Sequence, residues 1–384
     1  MERSGTNTLR ATRGSWGLAV VGLVGLGVAF ATRSTAAQAA ASQVWPPFVL
    51  VTGLLLIGLV ADDDGVFLYS GQRLAMLSTN GFMLFTGATV LVGVVTAVLN
   101  LDTSVAFLTP VLVYTARSRG GGEAPLLYGC LLLSNAGSLF LPGSNLTNLI
   151  VLGHLRLTGA QFFSDMWAPA VAALLVTSLV IGTAERRSLR LRVAIRDVPE
   201  RPVLGLGLLA IVLAVGLILS TSSPALGVAA IGVSAVALRI VQRKNNVGHV
   251  TEVLGAPLLA GLFGIAVAFG TLGRVWYGPA HLLSHLNAWG TAGVAALLSV
   301  AVNNLPAASL LAARTPTHPF SLLVGLNLGP NLLVSGSLAW MLWLRVARRA
   351  GATPSLRKAS RLGVIAVPLS MVAAMAILAL RGLS

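Results

Sequence analysis

The chain predicts an all-α polytopic membrane protein of two inverted repeats, each with a re-entrant hairpin and a discontinuous transmembrane helix. Three observations predict it. Of 384 residues, 55% are hydrophobic and only 10% are charged, far below the roughly 25% charged residues of a soluble domain. Apolar runs follow one another along the whole chain. Four of them are interrupted by polar, Gly or Pro residues, in an order that the two halves share. A soluble enzyme, a nucleic-acid-binding protein and a disulfide scaffold are excluded by the same composition. Lys and Arg exceed Asp and Glu by 15, but they lie between apolar runs, so the excess reads as membrane topology.

A bilayer-crossing helix needs about 20 mostly apolar residues. The first candidate, 15–31, follows Arg3, Arg10 and Arg13 and precedes an Ala-rich tail at 36–41. In a polytopic chain it reads as a retained span, not a cleaved signal. The next span is 45–61, and Asp62-Asp63-Asp64 after it reads as a solvated helix end. Region 81–115 breaks at Asn100-Leu101-Asp102-Thr103, leaving two apolar arms, and reads as a hairpin. Region 124–155 breaks between Asn135 and Asn145 and reads as a helix unwound at mid-membrane. It carries the single cysteine, Cys130, which reads as a small core residue. The span 167–184 closes the first repeat, 1–184, and 185–202 is expected to be a basic cytoplasmic linker.

The second repeat, 203–384, opens with spans at 203–220, 225–239 and 253–273, one more than the first. His281 and His285 have the spacing of a helical metal pair, but no nearby carboxylate or Cys completes a site. They are placed on an external interfacial helix with Trp276 and Tyr277. Region 289–315 breaks at Asn303-Asn304-Leu305-Pro306 and reads as a second hairpin. Region 319–347 breaks between Asn327 and Ser337, and 362–381 is the closing span.

Irregular backbone is tolerated at membrane depth only where protein or a water-filled cavity satisfies it. Two hairpins and two broken helices therefore imply a polar cavity. Asn135 and Asn327 occupy corresponding places, as do Gly143-Ser144 and Gly336-Ser337. Paired interruptions of this kind point to a transporter with inverted repeats. Charge gives the orientation. If the first hairpin enters from the cytoplasm, 21 of the 26 Lys and Arg lie on that side. The other side keeps only Arg33, Arg156, Arg274, Arg314 and Arg381. That split obeys the positive-inside rule, with a cytoplasmic N-terminus and an extracytoplasmic C-terminus.

Asp102 is the one acidic residue within an expected membrane element, and such a residue is functional by default. It is the candidate proton-coupling group; the alternative is that it caps the second arm of its hairpin. Asn100, Asp102, Thr103, Asn135, Ser144 and Asn145 are the candidate substrate-binding residues of the first half. Asn303, Asn304, Asn327 and Ser337 are those of the second. Thr147, Asn148, Asn331 and Ser335 supply further donors and acceptors. Half-helix N-termini add free N–H groups suited to an anion or a polyhydroxy solute. No cofactor and no metal are expected. There is no phosphate-binding Walker sequence, so any use of ATP requires a partner.

These broken regions resemble the arsenical pump membrane proteins, the arsenite/antimonite permeases of the ion transporter superfamily. The matching stretches are Asn100-Leu101-Asp102-Thr103 to Thr109-Pro110, Ser134-Asn135-Ala136-Gly137-Ser138-Leu139 and Ser144-Asn145-Leu146-Thr147-Asn148-Leu149. In the second half they are Val302-Asn303-Asn304-Leu305-Pro306, Asn327-Leu328-Gly329-Pro330-Asn331, Gly336-Ser337-Leu338-Ala339 and Leu342-Trp343. The order fits from about residue 60 onward. The resemblance implies an inner-membrane permease for arsenical resistance, an antiporter expelling arsenite or antimonite by proton exchange. There are departures. Asn327 stands where many relatives have an acid, Leu101 separates Asn100 from Asp102, and the chain is expected to be one span shorter at its start.

The partners expected are the lipid bilayer, a small oxyanion or neutral metalloid hydroxide, and protons, with sodium as the alternative coupling ion. A cytosolic ATPase subunit and a second copy of the chain stay open as partners; nucleic acid does not. Related members carry dicarboxylates, citrate or other oxyanions, so a dicarboxylate carrier is the nearest alternative. A channel and the membrane subunit of an ATP-driven pump are further readings. An intramembrane enzyme is disfavoured, since Asp102 lacks a second catalytic group.

Overall fold

A computed structural model describes residues 2–118, 120, 122–155, 157–190, 205–242 and 247–384, with side chains from residue 16 onward. Arg156, residues 191–202 of the basic linker, and Arg243 and Lys244 lie outside the described residues. Among the described residues the chain is helical and forms no strand. Its outer faces are apolar: Val20, Val24 and Val28, Leu175 and Leu179, and Leu209 and Leu213 are all exposed. An apolar surface of that extent belongs in lipid.

Helix α1 (Glu2–Asp63) holds two spans, because the chain folds back at Arg33, whose backbone leaves the helical region (φ −147°, ψ 59°). Before the reversal Gly22 lies against Gly261 and Gly264, and Gly25 against Ala268. After it, Ala40 lies against Gly270, and Phe48 packs edge-on to Phe263 (centroids 5.5 Å apart). Contacts that climb α12 (Ala256–Val275) and then descend it require two antiparallel segments. Glycine is needed at 22, 261 and 264, where each missing Cβ would meet the facing backbone.

After α1 comes α2 (Val66–Leu77), which lies across the first hairpin: Gly71 touches Val111, and Phe67 stacks on Phe107 at 5.3 Å. The hairpin itself is α3 (Gly81–Val98) and α4 (Leu101–Ser118). Its tip is at mid-depth. Thr103 and Phe107 lie against Gly58, and Gly143 lies against Leu50 and Leu54. At about 1.5 Å per residue those levels are roughly 8 to 20 Å in from Asp63, near the middle of a hydrocarbon core about 30 Å thick.

The first broken helix is α5 (Ala124–Gly137) and α6 (Leu146–Leu152), joined through a tight turn at Pro142–Ser144. Helix α7 (Gly159–Ala184) closes the half and begins earlier than the apolar run at 167, because Thr158 and Gln161 form a reciprocal cap ahead of it. The short α8 (Arg186–Leu189) follows. The second half leads with α9 (Leu206–Ser220), α10 (Ala225–Val241), α11 (Val247–Leu254) and α12. A surface helix, α13 (Gly278–His285), precedes the second hairpin, α14 (Ala288–Val302) and α15 (Asn304–Leu311). The second broken helix is α16 (Pro319–Leu328) and α17 (Leu338–Arg349). Last comes α18 (Leu356–Leu380), capped by Ser355, so its first turns are basic and not yet apolar.

Side-chain contacts fix which ends share a side. Arg117, at the foot of α4, donates to the carbonyls of Ala350 (2.9 Å) and Gly351 (2.8 Å) past the end of α17. Lys358 pairs with Glu185 at 2.6 Å on the same, basic side. On the opposite side Gln43 donates to Ile150 O (2.9 Å) and Ala312 O (2.8 Å), and Arg381 donates to Ser164 O (2.7 Å). The hairpins therefore enter from opposite sides, which is the inverted arrangement.

One expectation is corrected here. Asp62 and Asp63 are exposed, but Asp64 is buried, ion-paired with Arg239 of α10 and accepting from Gly207 N at 2.7 Å. Only the third carboxylate of the triplet turns inward, because α9 and α10 close over it. For a buried pair of this kind the cost of desolvation largely offsets the attraction, but removing either partner would strand the other's charge.

Candidate functional site

Each break starts its second arm with a side-chain cap. Asn145 Oδ1 accepts from Thr147 N (3.3 Å) to begin α6, and Ser337 Oγ accepts from Ala339 N (3.2 Å) to begin α17. Asn100 Oδ1 accepts from Thr103 N at 2.7 Å and caps α4. The capping reading of Asp102 is thereby corrected, since Asn100 occupies that position. Asn303 caps α15 from a left-handed backbone (φ 79°), accepting from Leu305 N at 3.4 Å. By their capping role Ser337 corresponds to Asn145, one residue beyond the Gly-Ser alignment with Ser144.

The two breaks cross, and their side chains join. Asn327 of α16 is the centre. Its Oδ1 accepts from Ser138 Oγ (2.5 Å) and Asn145 Nδ2 (2.7 Å), and its Nδ2 donates to Asn148 Oδ1 (2.7 Å) and Leu323 O (2.8 Å). Asn148 in turn donates to Ser138 O at 2.7 Å. Asn135 Nδ2 donates to Asn331 Oδ1 (2.8 Å), and Asn331 Nδ2 donates to Leu132 O (3.0 Å). Asn135, Ser138, Asn148 and Asn327 are fully buried, and Asn331 and Asn145 nearly so. The cluster is built wholly from amides and hydroxyls; no charged side chain bonds to it among the described residues.

Of the sequence candidates, Asn135, Asn145 and Asn327 meet in this cluster. Ser144 lies beside it and instead ties the first tip, donating to Ala97 O at 3.1 Å. Ser337 serves as a cap. Asn100, Asp102 and Thr103 form the first tip, and Asn303 and Asn304 the second; neither tip bonds to the cluster. The second tip is fastened to its own broken helix. Asn304 N donates to Gly336 O (2.9 Å), Asn303 Nδ2 to Ser335 O (3.2 Å), and Ser335 Oγ to Val300 O (2.8 Å).

Asp102 is half-buried and has no hydrogen-bond or ion-pair partner among the described residues. Ala106 and Pro110, successive turns below it, are also half-buried, and Tyr114 is exposed. This stripe leads from the tip to Arg117 on the basic side. Several buried polar atoms nearby lack a protein partner: Thr96 Oγ1, Asn100 Nδ2, Thr103 Oγ1, Asn135 Oδ1 and Thr147 Oγ1. Cys130 is buried and accepts from Thr109 Oγ1 at 3.4 Å, a packing role.

Sequence reasoning missed Ser138 as a side-chain ligand of Asn327, and it missed Gln43. The signal for Gln43 was a lone amide ahead of Pro46-Pro47. It bonds to α6 and to the carbonyl just past α15, and it accepts from Arg274 Nη2 at 2.6 Å, joining both halves on the side away from Asp102.

A family model described as citrate transporter (CitMHS) matches residues 9–344. The chain belongs to the citrate transporter family. It is also similar to proteins called "Arsenical pump membrane protein". One from Escherichia coli is 24% identical over 373 residues, covering 88% of this chain and 87% of that protein. The inner membrane protein YbiR of Escherichia coli K12 is 25% identical over 348 residues, covering 88% and 90%. Among solved structures, the YdaH transporter of Alcanivorax borkumensis superposes with a TM-score of 0.57 at 15% identity, over 90% of this chain and 86% of that one. This last likeness concerns the fold. As a citrate transporter family member with apolar spanning helices, the chain is a multi-pass membrane transporter.

Proposed function

We propose that this transporter expels arsenite or antimonite across the inner membrane in exchange for protons, by alternating access. The observation that carries the reading is the neutral cluster around Asn327. Arsenous acid is uncharged near pH 7 and presents only hydroxyls, which amides and serines match without the cost of burying a cation. The arsenical pump relatives support the same substrate class. Asn100, Thr103, Asn135, Ser144, Asn145, Asn303, Asn304, Asn327 and Ser337 are assigned to the substrate path, and Asp102 to the proton. An unpaired carboxylate at membrane depth suits that task.

Each hairpin with its broken helix forms one moving unit of a repeat (1–184 and 203–384), working against α1, α9, α10 and α12. The basic side is the cytoplasm, as the positive-inside rule gives it, so the C-terminus faces out.

A second reading has one observation in its favour: the family description names citrate. A citrate or dicarboxylate carrier, proton- or sodium-coupled, would hold its carboxylates on the half-helix N–H groups alone, since no cationic side chain touches the cluster among the described residues. Growth separates the two. In a strain lacking its own arsenite export, expression of the chain is expected to restore arsenite tolerance without any added ATPase. Unchanged sensitivity, with the protein present in the membrane and citrate uptake raised, overturns the arsenite reading. Tolerance that appears only with a co-expressed ATPase makes the chain a pump subunit instead.

A further inference from the structure

We propose that the corner between α7, α8 and α18 on the basic side binds an anionic phospholipid. Glu185, Arg187, Ser188, Lys358, Arg361 and Ile365 line a cavity of about 450 Å³ there. Three cations face one carboxylate, and that carboxylate is committed: Glu185 holds Lys358 at 2.6 Å. Arg187 and Arg361 make no ion pair among the described residues. Two exposed guanidiniums lining one pocket offer donors of the kind a phosphate accepts.

The position selects a lipid over a free phosphate. Helices α7 and α18 run antiparallel, tied by Lys358 to Glu185 at one end and by Arg381 to Ser164 at the other. One and two turns after Arg361, on the same face of α18, stand Ile365 and Leu369, with Val372 beyond; all three are more than half exposed. On α7, Val180 and Val176 lie one and two turns before Ala184 of the cavity wall and are half-buried. An apolar strip thus descends from the cations toward the bilayer centre. A headgroup phosphate between Arg187 and Arg361 would lay an acyl chain along Ile365, Leu369 and Val372. Basic pockets between spanning helices on the cytoplasmic side recognise anionic headgroups in this way. Lys358 also lies over the Tyr128 ring of α5 (5.3 Å), so an occupied corner rests against the first broken helix.

The test uses the purified full-length chain, with bound lipid counted by native mass spectrometry and thermal unfolding followed in parallel. Phosphatidylglycerol is expected to be retained and to raise Tm, whereas phosphatidylcholine and inorganic phosphate do neither. Arg187→Gln with Arg361→Gln should weaken phosphatidylglycerol retention roughly thirtyfold, the factor two basic residues contribute near an anionic surface. Glu185→Gln frees Lys358 and should strengthen it. Equal retention of the two lipids, or by the double variant and the parent, overturns the proposal. An equal Tm rise with inorganic phosphate removes the lipid from it. If the double variant does not fold, Glu185→Gln decides, and unchanged or weaker retention there is a refutation.

Discussion

The first hairpin brings two 18-residue arms to its tip at Asn100, whereas the second brings arms of 15 and 8 residues to Asn303. Both tips are held by a serine of the break that donates to the carbonyl three residues before the tip asparagine: Ser144 to Ala97, and Ser335 to Val300. There the likeness ends. The second tip gains two more bonds to its broken helix, from Asn304 N and Asn303 Nδ2. The first gains one, between Ser104 Oγ and Ser134 Oγ of α5 (3.1 Å) a turn below the tip, and it keeps Thr96 Oγ1, Asn100 Nδ2 and Thr103 Oγ1 buried without partners, with Asp102 unpaired beside them. Buried polar groups normally find partners. Under the proposed function, the unmet capacity at the first tip suits the proton, while the second tip is the more firmly fastened of the two.

The sharpest way to break this contrast is Asp102→Asn. It is expected to reduce proton-driven flux to background with little change in Tm, because the carboxylate makes no bond that the amide would lose. Asn304→Ala at the second tip should lower flux while its pH dependence survives. If both variants behave alike in vesicle flux, the tips do not differ in role.

Next in size is Asn327→Leu. It strands Ser138, Asn145 and Asn148 in the buried cluster, and each stranded group costs about 1–3 kcal/mol. Thermal unfolding should show the largest loss of stability among these variants. Asn327→Asp keeps the acceptor for Ser138 and Asn145 but, when ionised, loses the donor to Asn148 and Leu323 and buries an unpaired charge, so its Tm should fall below the parent's and recover as falling pH protonates it. A neutral result for Asn327→Leu would mean the halves are not held together here.

Gly363→Ala acts on the more firmly fastened side. Its new Cβ would meet the carbonyl of Asn331, pushing α18 off the second break, at about 1–3 kcal/mol for overpacking. The mildest pair is Ser144→Ala and Ser335→Ala, each removing one hydrogen bond worth about 1 kcal/mol. Amide exchange should quicken around residues 98–103 in the first variant. In the second, exchange around 301–306 should hardly change, because the remaining bonds keep that tip in place.

The breaks were legible because a polar run inside an apolar one survives at membrane depth only where the helix stops and its freed backbone groups meet protein or water. Asn100, Asn145, Asn303 and Ser337 all begin a helical arm, and a capping asparagine or serine is readable from sequence. Legible too was the double first span, since Arg33 divides two apolar runs. The partners were not. Asn327 bonding to Asn148, Asp64 turning onto Arg239, and Gln43 reaching Ala312 each depend on which helices cross and at what height. Periodicity along one helix says nothing of that. The same limit explains Asp102: sequence singles it out, but only packing assigns the cap to Asn100 and leaves the carboxylate unpaired.

The most direct test is flux in proteoliposomes under an imposed pH gradient, with arsenite, citrate and succinate offered separately and sodium varied. Arsenite is expected to move uphill with the proton gradient, independently of sodium, and to stop doing so in Asp102→Asn. Uphill movement of citrate or succinate without arsenite, or proton coupling that survives Asp102→Asn, would contradict the assignment.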